Sequence, residues 1–167
     1  MVSSLTTAGL MRLLALLTLV PAALGAQAAA LPQAPTMALH PAGAMTWKEG
    51  PASLPKGAQM MVLEGDPTQP GPFTLRFKFP DGFEVKPHWH TQTEHATVLS
   101  GTLHLGMGER FDRSATRALA AGSFGWWQAG TRHFAWTEGE TVLQLHGQGP
   151  WTLMYVNAAD DPRGVRP

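Results

Sequence analysis

Two histidines and a glutamate between Gly82 and Gly101 constrain the fold of this chain more than any other feature. His88 and His90 are two residues apart, and residues at i and i+2 of a β-strand point to the same face, so this spacing presents two imidazoles together. Glu94 follows a short polar link that lets the chain bend and return a carboxylate to the same point. Two neutral imidazoles and one carboxylate form a facial triad, which Fe(II) favours and Mn, Ni, Co or Zn accepts.

A second stretch, from Gly122 to Thr137, contains a single histidine, His133. The residues before it, Ala129 to Arg132, are typical of a tight turn that leads into a strand. We therefore interpret His133 as the fourth metal ligand.

The two stretches resemble the two sequence motifs of the cupin superfamily. The first motif, G-x5-H-x-H-x3-E-x6-G, is matched at every fixed position, by Gly82, His88, His90, Glu94 and Gly101. The second motif, G-x5-P-x-G-x2-H-x3-N, is matched by Gly122, Gly130 and His133, whereas Gln128 replaces the usual proline and Thr137 the usual asparagine. Both departures flank His133, and neither removes a candidate ligand.

The resemblance covers roughly residues 45 to 157 and implies an all-β fold, a single-domain cupin jelly-roll β-barrel. It also implies one divalent metal ion held between the strands by His88, His90, Glu94 and His133, with Fe, Mn, Zn or Ni as the candidates. At 167 residues and 44% hydrophobic content, the chain is long enough for one domain with a real core.

Composition excludes several classes of partner and site. Lys plus Arg and Asp plus Glu balance at 12 each without a basic run, so neither nucleic acid nor an anionic membrane is an expected partner. The chain has no cysteine, which excludes disulfides, thiolate zinc sites, iron–sulfur clusters and a cysteine nucleophile. A metal must therefore bind through nitrogen and oxygen.

The N-terminal residues 1–28 have the layout of a secretory signal peptide, with Arg12, the apolar run Leu13 to Val20 and small residues up to Ala28. The apolar run is shorter than the roughly 20 residues of a spanning helix, so no stable membrane insertion of the mature chain is expected. We predict cleavage near residue 29 and a periplasmic or secreted protein. Residues 29–45 are predicted to be a flexible lead-in, residues 46–157 the cupin domain and residues 158–167 a C-terminal tail.

Short apolar runs separated by Gly, Pro and Asp follow Gln59, which is typical of a sandwich or barrel. From Phe73 to Phe79 apolar and polar residues alternate, which predicts a strand with one buried face. Gly101 is predicted to occupy a tight hairpin turn between two strands. Met107 to Ala121 is predicted to be an exposed excursion.

The other histidines and the tryptophans of the domain are interpreted as structural. His95 must point away from Glu94, its neighbour on the same strand, and His104 is predicted to lie outside the barrel. For His146 the pattern allows a pocket position but favours a structural one. Trp89, Trp126, Trp127 and Trp136 are assigned to core or dimer packing in preference to an aromatic substrate cage.

Two hypotheses of function follow. In the first, open positions on the metal permit chemistry, and the chain is a metal-dependent enzyme, most readily a dioxygenase-like or other oxidoreductase acting on a small organic molecule. In the second it is a non-catalytic module that binds or senses a metal or small ligand, as in the zinc-holding cupin domains of anti-sigma factors. The fold is compatible with both. We also predict a homodimer, because apolar edge strands and the aromatic segments need cover.

Overall fold

The structure, a computed structural model, describes residues 37–164. Within this range the chain forms nine β-strands and three single-turn 3₁₀ helices. The strands are β1 (Lys48–Glu49), β2 (Gln59–Glu64), β3 (Gly71–Phe79), β4 (Glu84–His90), β5 (Glu94–Met107), β6 (Thr116–Ala120), β7 (Phe124–Trp127), β8 (His133–Gly149) and β9 (Leu153–Tyr155). The 3₁₀ helices are Ala42–Ala44, Arg113–Ala115 and Ala158–Asp160.

The predicted signal peptide and the first part of the predicted lead-in, up to residue 36, lie outside the described residues. Within residues 37–164 no helix is both long and apolar enough to cross a membrane. The strands extend from Lys48 to Tyr155.

The strands pair antiparallel in one curled sheet around β8, which confirms the all-β prediction. β8 pairs with β3, β4 and β5, while β5 also pairs with β6 and β7. Short strands close the ends of this arrangement, with β1 and β2 beyond β3 and with β9 beyond β4. Because β5 and β8 pair along most of their length, they form the frame on which the remaining strands are placed.

The strand β3 supplies much of the core, as its alternation predicts. Phe73, Leu75, Phe77 and Phe79 are all at most 5% exposed, and they pack with apolar residues of β4, β5 and β8. Each buried side chain of this size contributes on the order of 2 kcal/mol to folding. These large apolar side chains are covered within the chain itself, and they therefore need no partner subunit.

The prediction of a hairpin turn at Gly101 is wrong, because β5 continues through it. Gly101 has φ +74° and lies where the register of β5 against β8 shifts, and Gly139 on β8 has φ +71°. A left-handed residue in each of two paired strands bends them together, and glycine adopts this conformation without steric cost. The same bend lets β8 continue as one strand from His133 to Gly149.

The segment Met107 to Ala121 is not only an exposed excursion. Thr116–Ala120 forms β6, which pairs with residues 102–106 of β5. Leu119 points inward and packs against the core. The sequence pattern did not indicate this strand because only one of its side chains contacts the core.

Candidate metal centre

Strands β4 and β8 bring three of the predicted ligands together inside the barrel. His88 and His90 share the inner face of β4, and His88 pairs directly with His133 at the start of β8. One ring nitrogen from each lies within 4.8 Å of the others, and all three residues are at most 4% exposed. The alternation of β4 sends Trp89, which lies between the two histidines, to the outer face.

Backbone carbonyl oxygens fix the orientation of each ring. Nδ1 of His88 lies 2.7 Å from the Lys86 carbonyl oxygen and Nδ1 of His133 lies 3.0 Å from that of Thr131. In the same way Nδ1 of His90 lies 3.2 Å from the Thr152 carbonyl oxygen. A carbonyl can only accept, so each Nδ1 carries the proton and each Nε2 keeps its lone pair for a metal.

The fourth predicted ligand, Glu94, is the first residue of β5 and adjoins this cluster. Its Oε2 lies 3.0 Å from Nε2 of His90 but is not aligned for a hydrogen bond, and it has no hydrogen-bond partner among the described residues. The carboxylate lies outside the group of three nitrogens that are mutually within 4.8 Å. The structure thus groups three histidines tightly and places the glutamate beside one of them.

Burial sets the charge of these groups. It raises the pKa of Glu94 to about 8, an effect that the nearby Trp151 indole opposes. It lowers the pKa of His90 to about 3, with a further contribution from His133, and that of His133 to about 4. Burial and the two neighbouring imidazoles also lower the pKa of His88 well below its usual value. At pH 7 the three imidazoles are therefore neutral, which is the form that binds a metal.

The donor set fits a metal ion. Three neutral imidazoles with fixed Nδ1 protons and one buried, partnerless carboxylate oxygen suit a divalent ion that accepts nitrogen and oxygen. A buried carboxylate oxygen without a partner is costly, and coordination would satisfy it. His88, His90, Glu94 and His133 are the residues that would hold the ion.

The turn before His133 forms despite the two departures from the second motif. The Gln128 carbonyl oxygen accepts from the Thr131 N–H, and the N–H of Gly130, at φ +78°, donates to the His90 carbonyl oxygen. This second bond ties the turn to the end of β4. Thr137 is buried; its hydroxyl accepts from the Phe83 N–H and donates to the Pro80 carbonyl oxygen. Its hydroxyl thus holds the loop between β3 and β4.

An apolar cavity faces the four candidate ligands. Apart from them, the described lining is aliphatic and aromatic, with Thr137 as the one further polar side chain besides the tryptophans. Trp151 stacks on His90 at a centroid distance of 4.6 Å, and Trp127 lies 4.9 Å from His133. The indole N–H groups of both tryptophans are buried and lack a partner in the described part of the chain.

Trp151 was not among the residues that the sequence pattern associated with the site. It follows β8 and lies far in sequence from both motifs, so only the fold brings it to His90. Trp127 had been assigned to packing, and it packs and lines the cavity at once.

The other histidines of the strands, His95, His104 and His146, lie on the outer face of the sheet. The ring of His104 stacks on Trp136 at a centroid distance of 3.8 Å, and its Nε2 lies 2.9 Å from Oε2 of Glu138. These contacts agree with its predicted position outside the barrel. His95 and His146 face each other on neighbouring strands, away from the cavity.

Comparison with known proteins assigns a family and a fold. Residues 51–162 match the family model described as "Domain of unknown function (DUF4437)". No match is found among curated protein sequences.

Several solved structures are similar. A candidate acetylacetone dioxygenase from Methylibium petroleiphilum PM1 is 19% identical with a TM-score of 0.58, covering 79% of this chain and 89% of that chain. The polyketide cyclase RemF from Streptomyces resistomycificus is 19% identical with a TM-score of 0.57, covering 70% and 84%. An RmlC-like cupin from Shewanella frigidimarina NCIMB 400 is 14% identical with a TM-score of 0.52, covering 68% and 91%. These similarities confirm the predicted cupin jelly-roll fold.

Proposed function

The chain belongs to the DUF4437 family, a domain family of unknown function, and on this premise we propose that it is a metal-dependent cupin enzyme, an oxidoreductase of dioxygenase type that acts on a small organic molecule. The observation that carries the proposal is the cluster of His88, His90 and His133, whose ring nitrogens lie within 4.8 Å of one another beside Glu94. Four ligands leave one or two positions open on an ion that prefers five or six. A bound ion would supply Lewis-acid or redox chemistry at these positions.

The residues around the cluster define what the cavity accepts. Its aliphatic and aromatic walls favour a small, mostly apolar molecule and exclude water from the reacting groups. The indole N–H groups of Trp127 and Trp151, which have no hydrogen-bond partner among residues 37–164, provide donors for oxygen atoms of such a molecule. A small compound with apolar groups and carbonyl or enol oxygens matches this combination.

A second function, non-catalytic binding of a metal or small ligand, is favoured by one observation. Among the described cavity residues, no titratable side chain lies beside the four candidate ligands. A reaction that needs proton transfer would therefore depend on Glu94 itself or on the bound ion. A module that only binds or senses a ligand needs no such group.

One experiment separates the two functions. The protein is purified from its own compartment, its metal is identified by elemental analysis, and dioxygen consumption is measured with acetylacetone as the probe. This probe is chosen because one structural neighbour carries its name. Turnover that requires the metal supports the enzyme. Metal retention and quenching of tryptophan fluorescence by the probe, without dioxygen consumption, support the binding module.

We also propose that the protein is exported and that it is a homodimer. Export is supported by the layout of residues 1–28, and mass analysis of the N-terminus should find a chain that begins near residue 29. For the dimer, Phe124 and Trp126 on β7 are more than half exposed, and such a surface is a candidate for contact with a second copy. Light scattering that gives the mass of one chain at micromolar concentration would exclude the dimer.

A further inference from the structure

A row of polar and aromatic side chains crosses the outer face of the sheet, opposite the metal cluster. Residues that pair directly across antiparallel strands point to the same face, so the register defines the row. It consists of Glu64 on β2, Thr74 on β3, His146 on β8, His95 on β5 and Trp126 on β7.

The two histidines in the middle of this row form a close pair. Their ring centroids are 4.8 Å apart, and the ring planes are within 12° of parallel. Nδ1 of His95 is buried and has no hydrogen-bond partner within the described chain. Burial, together with the neighbouring His95, lowers the pKa of His146. The pair therefore contains a ring nitrogen, Nδ1 of His95, that forms no hydrogen bond with another described residue.

The surroundings of the pair suit a cation. The two rings lie in a surface groove that is also lined by Glu64, Thr74, Gln92 and Gln148, and no lysine or arginine belongs to its described lining. Glu64 accepts a hydrogen bond of 3.2 Å from the Thr74 hydroxyl, which holds its carboxylate at the groove. Oxygen donors and a negative charge therefore line the same groove as the two imidazoles.

We propose that His95 and His146 form a second metal site, on the outer face of the sheet, for a divalent transition ion of the imidazole-binding class. Such a site should bind Cu²⁺ more tightly than Ni²⁺ or Zn²⁺. The two rings supply two ligands, and water with the groove oxygens completes the coordination. The site is independent of the inner cluster, because Glu94 and His95 are consecutive on β5 and point to opposite faces.

Counting Ni²⁺ ions tests the proposal. Equilibrium dialysis of the full-length mature protein should find two ions per chain, one tight and one weaker. His146→Gln should weaken the second ion by about tenfold or more, since one of two imidazoles is lost. His104→Gln is the matched control, because this histidine also lies on the outer face but pairs with Glu138, and it should bind both ions. Circular dichroism and retention of the tight ion report on folding.

A second variant and a spectroscopic measurement keep the proposal testable if His146→Gln does not fold. His95→Gln should reproduce the loss seen with His146→Gln. Electron paramagnetic resonance of the weaker Cu²⁺ ion in the wild-type protein should show two equatorial nitrogens. A single ion per chain in the wild type, or unchanged binding of the weaker ion in both glutamine variants, would overturn the proposal, as would a Cu²⁺ spectrum without histidine nitrogen.

Discussion

The two faces of the same sheet carry histidine clusters that are held in different ways. On the inner face, every imidazole of the cluster has its Nδ1 on a backbone carbonyl and is at most 4% exposed. On the outer face, His95 and His146 lie side by side in a surface groove, and Nδ1 of His95 has no hydrogen-bond partner in the described part of the chain. Fixed tautomers and orientations reduce the cost of ordering ligands around an ion. Anchoring by the backbone, more than the proximity of the rings, should therefore separate a tight metal centre from a weak one.

Removing the inner ligands should have the largest effect. His88→Ala combined with His90→Ala should abolish the tight ion and leave the weaker ion on the outer face, because the two sites share no ligand. Elemental analysis and dialysis measure both. A ligand at 1,000 times its dissociation constant stabilises a fold by about 4 kcal/mol, so added metal should raise the melting temperature of the wild type more than that of the variant, which keeps only the weaker ion.

His104→Ala serves as the control in this experiment and should behave as the wild type. Circular dichroism should show that the double variant keeps its β-rich fold. A tight ion that persists in the folded double variant would mean that the inner cluster is not the metal centre.

The register of β5 against β8 determines which residues of β5 lie on each face of the sheet. Substitution of Gly101 tests this register. A Cβ at Gly101 would overlap the Glu140 carbonyl oxygen and the Thr141 hydroxyl, whereas at Gly139, which also has a positive φ, it would meet nothing within 4 Å. Gly139→Ala should therefore cost only the left-handed conformation, about 1 kcal/mol of the free energy of unfolding, and Gly101→Ala about 3 kcal/mol or more. Urea unfolding measures both. Equal losses would show that the overlap is relieved without disturbing the register.

Much of this arrangement could be predicted from local sequence. The spacing of His88 and His90 determines that they share a face, since side chains alternate along any strand. The alternation from Phe73 to Phe79 identified the buried face of β3 in the same way. These predictions depend only on the period of a strand, which neighbouring residues display.

The features that could not be predicted depend on distant pairing. Gly101 has the sequence context of a turn, but its partner strand bends with it and β5 continues. The approach of His146 to His95, and of Trp151 to His90, follows from the register of strands far apart in the chain. No local sequence pattern specifies that register. The contacts of His146 with His95 on the outer face and of Trp151 with His90 at the inner site therefore could not be predicted.

Glu94 should make the inner site sensitive to pH. With the pKa of Glu94 raised to about 8 and those of His90 and His133 lowered to about 3 and 4, the carboxyl is the group among these three that titrates between pH 6 and 8. Metal binding must displace its proton, so affinity should rise by about tenfold per pH unit up to about pH 8 and then level off. In Glu94→Gln the ion should bind more weakly and without this slope. Titration of Zn²⁺ at several pH values measures the slope, and an unchanged slope in the variant would assign the proton to another group.

The smallest effect should come from Trp151, the group beside Glu94 that opposes the rise of its pKa. Trp151→Phe keeps a ring to stack on His90 but removes the indole N–H, so the pKa of Glu94 should rise further and the proton should compete more strongly with the ion. Because the indole N–H forms no hydrogen bond within residues 37–164, the loss should be small, about 0.7 kcal/mol or about threefold in Zn²⁺ affinity at pH 7, and it should vanish above the pKa of the carboxyl. Trp127→Phe is the matched control, because this indole N–H is also buried without a hydrogen-bond partner among the described residues, but its ring lies beside His133. If both variants shift the pH profile of Zn²⁺ binding equally, burial in the cavity alone sets the pKa of Glu94. The inner site would then depend on the backbone and the barrel wall, and the indole N–H of Trp151 would have no specific role.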